Sequence, residues 1–139
     1  MSTDTQVLVV NSNPDELDSV VGVLRSVGYK TTGTGTFETA RELIRVRQYD
    51  LLITALRLLP YNGLHLVIHN QVLYPDAKAI VLVSPPDLGG EAEARRLGAQ
   101  SVAAPVATDR LLAIVQRVLE GRPVRAERKP LFAVRDSAN

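Results

Sequence analysis

The stretch Val7-Leu8-Val9-Val10-Asn11-Ser12-Asn13-Pro14-Asp15 joins four consecutive apolar residues to a polar turn and a proline. An unbroken, β-branched-rich run of this length predicts a strand covered on both faces. Asn13 can cap a helix and Pro14 suits its first position. Asp15 and Glu16 favour the positive end of its dipole. Leu17, Val20, Val21 and Leu24 then make one buried stripe. Gly28 ends the helix, because glycine accepts the left-handed conformation that follows a last turn.

The same unit repeats outward from this start. Residues 29–32 read as a second strand, and Thr36 caps a helix to about residue 47 with Phe37, Ala40, Leu43 and Ile44 inward. A third strand covers 50–55. Pro60 and Asn62-Gly63 mark a loop, and the helix predicted over 64–74 turns Leu64, Val67, Ile68 and Val72 inward. Residues 80–83 make a fourth strand, 91–97 a short helix closed by Gly98, and 100–103 a weak fifth strand. Thr108 is expected to cap the last helix, which buries Leu111, Leu112, Val115, Val118 and Leu119 and stops at Gly121. Each crossover is long enough for a right-handed helical connection. The expected fold is α/β: a doubly wound (βα)5 parallel five-stranded sheet in a three-layer, flavodoxin-like sandwich.

A chain of 139 residues suits one domain. The domain is expected over 1–120, with 121–139 a basic, flexible C-terminal tail. From Gly121 onward five basic residues oppose two acidic ones. That tail reads as a solvated terminus or, more sharply, as a docking segment for an acidic surface. The absence of cysteine excludes disulfides, thiolate metal sites and a cysteine nucleophile. No signal peptide is evident at residues 1–6, and no apolar run approaches the ~20 residues that cross a bilayer. A cytoplasmic location is expected, with no membrane role. The net charge of +1 gives no reason to expect nucleic acid.

In such sheets ligands sit beyond the carboxyl ends of the strands, at the switch in strand order. That edge holds Asn11, Ser12, Ala55, Ser84, Ala104 and Pro105. Residues 7–15 resemble the opening of a response-regulator receiver (CheY-like) domain, where a strand runs into acids and then proline. Residues 49–63 resemble its acceptor strand and the loop that ends in glycine. Residues 80–84 resemble its strand ending in a switch serine or threonine. Gly98-Ala99 followed by Pro105 resembles its approach to Lys-Pro. The resemblance covers about residues 6–120 in unbroken order.

The chemical residues depart from that pattern. Asn11 and Ser12 stand where the resemblance implies a metal-binding acid pair, and Ala55 where it implies the phosphorylated aspartate. The lysine position falls on Ala104, or on Pro105 when aligned from Gly98. The aromatic switch position falls on Ser101 or Val102. Only Ser84 is retained. Neutral Asn11 and Ser12 cannot supply the charge a hard cation prefers. A methyl group offers no nucleophile. The sequence therefore predicts a degenerate pseudo-receiver: not an enzyme, with no metal or cofactor, and with strand tips free of acidic groups and of cations.

Other constellations read as structural. His65 and His69 share a helix face but lack a third ligand. Gly33-Thr34-Gly35-Thr36 lacks both the third glycine of a dinucleotide fingerprint and the lysine of a phosphate loop. Thr54 is expected to point into a packed layer, and Arg41, Arg45 and Arg47 with Glu38 and Glu42 into solvent. The leading functional expectation is a phosphorylation-independent signalling module, related to two-component systems and phosphorelays. It would bind another signalling protein, or a second copy, through the face of helix 4, strand 5 and helix 5. Arg95, Arg96, Ser101, Arg110 and Arg117 lie on that face. The alternatives are a small-molecule-sensing pseudo-receiver, for which an apolar cavity around Ala55, Asn11 and Ser84 is required, and an active receiver with an unusual acceptor.

Overall fold

Val7, Leu8, Val9 and Val10 have no solvent exposure at all, and the sheet is built around them. The computed structural model of the chain describes residues 4–121, so the tail predicted at 121–139 lies almost wholly outside the described residues. Strands and helices alternate as β1 (Gln6–Val10), α1 (Pro14–Ser26), β2 (Lys30–Thr34), α2 (Phe37–Val46), β3 (Leu51–Ala55), α3 (Gly63–Leu73), β4 (Lys78–Val83), α4 (Leu88–Arg96), β5 (Gln100–Ala103) and α5 (Thr108–Glu120). All strands pair in parallel, in the order β2-β1-β3-β4-β5. The order reverses between β1 and β3, and the crevice forms at their carboxyl ends.

Alternation along each strand feeds two cores. Leu8, Val10, Leu52, Val81 and Val83 pack with Phe37, Ala40 and Ile44 of α2, Leu66 and Val67 of α3, and Ala94 of α4. Val7, Val9, Leu51, Ile53, Ile80, Leu82 and Val102 pack with Val20 and Leu24 of α1 and Leu111, Ile114 and Val115 of α5. Parallel strands in the middle of such a sandwich carry apolar side chains on both faces. That is why the strands lack polar alternation.

Local signals place most boundaries. The Asn13 side chain accepts from the Asp15 and Glu16 amides, at 2.9 and 3.2 Å, and Pro14 follows it. Thr36 Oγ1 accepts from the Thr39 amide, which makes the Gly33–Thr36 stretch the end of a strand and a capped turn. Gly28 takes φ 101°, a conformation that favours glycine.

Three expectations are corrected. α4 begins at Leu88 rather than Glu91, because Asp87 caps it by accepting from the Gly90 amide at 2.9 Å. Thr108 is the first residue of α5 and not its cap; Ala107 holds that position, and Ile114 joins the buried set. In α3 the inward residues are Leu64, Leu66, Val67 and Asn70, while Ile68 and Val72 face solvent. That helix has no charged side chain to mark its outer face.

Candidate functional site at the strand tips

Asn11 follows β1 directly and is 3% exposed. Its amide donates to the Thr34 carbonyl at 3.1 Å, which extends the β1–β2 ladder by one bond. Its side chain is used on both ends: Nδ2 donates to Glu16 Oε1, and Oδ1 accepts from the Asn13 amide, each at 2.9 Å. A buried amide satisfied in this way is a fixed structural element. It also matches the neighbouring carboxylate with a donor, which an aspartate at position 11 could not do.

Ala55 ends β3, half-buried, with its backbone held on several sides. Its carbonyl accepts from Thr54 Oγ1 at 3.0 Å, and the next amide, Leu56, donates to the Leu82 carbonyl at 2.8 Å. Thr54 itself is fully buried, as expected. The loop returns so closely that a Cβ on Gly63 would lie 2.1 Å from the Ala55 carbonyl oxygen. Glycine is required there by space rather than by backbone angle. The Asn62 side chain then caps α3 by accepting from Leu64 N at 2.9 Å.

A polar cavity of about 260 Å³ opens over these tips. Five of the six expected positions line it: Asn11, Ser12, Ala55, Ser84 and Ala104. Pro105 does not; it borders a separate hollow beside Ser19, Val20 and Val106. The alignment choice is settled by register, since Val83 pairs with Ala103 and the Ala104 amide donates to the Val83 carbonyl at 3.0 Å. The same register buries Val102 among the α1–α5 side chains and leaves Ser101 half-buried with the opposite orientation.

The expectation of tips without acid or cation is overturned. Glu16 and Arg57 both line the cavity, together with Asn13. Arg57 Nη2 lies 3.7 Å from Asp87 Oδ2 across the mouth. Glu16 had been assigned only a helix-dipole role, although the first turn of α1 also brings it back toward Asn11. Arg57, two residues past Ala55 in an irregular loop, had no periodic pattern to place it. A lining with one carboxylate, already engaged by Asn11, does not fit a hard divalent ion that takes six oxygen ligands. Among the described residues no group of three or more His, Cys, Asp or Glu side chains could hold a metal. His65 instead joins a ring cluster, 5.3 Å from Tyr61 and 6.4 Å from Phe37.

The candidate docking face is exposed at its arginines. Arg95 and Arg96 end α4, Arg110 and Arg117 share one flank of α5, and Ser101 lies on β5 between these helices. Arg96 Nη1 pairs with Glu93 at 2.8 Å. No helix among the described residues is long and apolar enough to cross a membrane.

No protein-family model matches the chain, and no curated protein matches it significantly. Solved structures do. A CheY-like response-regulator receiver domain protein from Methanospirillum hungatei superposes with a TM-score of 0.80 at 22% identity, over 84% of this chain and 94% of that one. The signal receiver domain of an HD domain-containing protein from Pseudomonas fluorescens gives 0.79 at 25% identity, over 86% and 90%. The receiver domain of a sensor histidine kinase from Pseudomonas aeruginosa, solved with magnesium coordinated in its active-site cleft, gives 0.75 at 23%, over 85% and 99%. With its strands in the order β2-β1-β3-β4-β5 and this overlap along nearly whole receiver domains, the chain has the flavodoxin-like fold of a CheY-like receiver domain.

Proposed function

We propose that the chain is a receiver-like signalling module of two-component type that acts by docking to another protein and is not itself phosphorylated. The observation that carries this reading is the state of the strand tips. Ala55 presents a methyl group at the end of β3, and Asn11 spends its side chain holding Glu16 and the α1 cap. An acyl phosphate needs a carboxylate nucleophile. It also needs cations to neutralise the phosphoryl oxygens. Arg57 supplies one cation, but the nucleophile and the metal-binding acids are missing. A signal must then be conveyed by association. The arginines Arg95, Arg96, Arg110 and Arg117 suit an acidic partner surface, which they would also steer during encounter.

Two measurements test this. Incubation with acetyl phosphate and Mg²⁺ followed by intact-mass analysis is expected to give no adduct; a stoichiometric phosphate adduct overturns the proposal. Capture of the partner from its native extract is expected to be lost on Arg95→Glu/Arg96→Glu, and indifference to reversals across the whole face counts against it. A sensor of small molecules is the second reading. Its apolar cavity is not found, but the open space beside Glu16 and Arg57 would suit a small charged ligand. Saturable thermal stabilisation by amino acids or phosphate esters would favour that reading instead.

A further inference from the structure

α3 differs in kind from every other helix. Gly63–Leu73 contains no Asp, Glu, Lys or Arg, whereas α1, α2, α4 and α5 each carry both acids and bases. A helix apolar on all sides normally belongs in an interior. Here one side only is covered, by β3, β4 and α2. On the other side Ile68 is 45% exposed and Val72 75% exposed. They are four residues apart and form one stripe along the helix. Leu73 and Val46, which is 77% exposed, add apolar surface where α3 and its neighbour α2 end. Scattered exposed apolar residues are normal, but a contiguous group on an uncharged helix is not.

We infer that the outer face of α3, centred on Ile68 and Val72, is a self-association surface that takes a second copy of this chain. Charge selects the occupant. A two-fold contact sets a surface against itself, so any charge on it meets the same charge. The α3 stripe carries none, and two copies can bury it without repulsion. The α4–β5–α5 flank cannot pair with itself so easily, because Arg95, Arg96, Arg110 and Arg117 would confront their own counterparts. An acidic or basic partner, conversely, would gain nothing from an uncharged stripe. The two surfaces thus divide their roles, and dimerisation through α3 leaves the arginine flank open. The inference concerns a different surface from the docking proposal and stands or falls separately from it.

Sedimentation velocity of the full chain across the micromolar range tests it. A concentration-dependent monomer–dimer equilibrium is expected. Val72→Glu and Ile68→Glu should each weaken it by at least about tenfold, while Arg95→Glu/Arg96→Glu should leave it intact or tighten it. Both α3 positions are solvent-exposed, so unchanged melting curves will show that the variants fold. Val72→Arg serves as a second check, since it must act like Val72→Glu if the charge and not its sign is what matters. A monomer at every concentration would overturn the inference. So would a dimer that survives the α3 variants or dissolves with the arginine reversals. Self-association appearing only after removal of residues 122–139 would assign the stripe to the tail and overturn it as well.

Discussion

The bodies and the tips of the same two strands tell different stories. Val7–Val10 and Leu51–Ile53 are completely buried and feed both cores, as a strand of any receiver must. One residue further on, Asn11, Ser12 and Ala55 hold none of the groups that give receivers their chemistry. The fold therefore rests on apolar burial in the strand bodies, and the tips can lose their function without loss of architecture. The tips also did not simply become empty. Asn11 was drawn into the local framework, bonded to Glu16 and to the turn that starts α1.

Leu8→Ala should have the largest effect on this contrast. The side chain is fully enclosed between α2, α3 and the sheet. Its loss should cost about 2–5 kcal/mol in urea unfolding. A cost near zero would mean that the strand bodies do not carry the stability.

Gly63→Ala is the next test, because it presses on the junction between body and tip. The new Cβ would lie 2.1 Å from the Ala55 carbonyl and 2.6 Å from Thr54 Oγ1, so the loop must shift. The expected destabilisation is about 1–3 kcal/mol. A smaller value would show that the β3–α3 loop yields easily.

Asn11→Asp should have a smaller effect, and one that depends on pH. It replaces a donor to Glu16 by a second carboxylate, at a net cost of about 1 kcal/mol near neutral pH. Repulsion raises the folded-state pKa of one carboxylate of the pair. A raised pKa means that the folded form holds its proton more tightly, so the variant regains stability as the pH falls through the carboxylate range. Melting curves at acidic and neutral pH check this. An equal deficit at both would assign the cost to the lost hydrogen bond alone.

The strand bodies were legible in the sequence because both of their faces are apolar, and α1 because Asn13, Pro14 and Gly28 mark its ends. α3 was not, since Leu66, Ile68 and Val72 are alike in hydropathy and only packing decides which face is inward. The start of α4 was hidden by Gly89-Gly90, against which the Asp87 cap prevails. At the site, Ala55 and Asn11 could be placed by counting from the strands. Arg57 could not, because loop geometry and not periodicity brings it over the cavity. Ala104 and Pro105 could be told apart only by the pairing of Val83 with Ala103.

The most direct test of chemically inert tips is the amide spectrum of the full chain titrated with Mg²⁺ and beryllofluoride, a phosphoryl mimic. The amides of Ser12, Ala55, Ser84 and Ala104 are predicted to hold their positions throughout. Saturable movement of these resonances together would contradict the account.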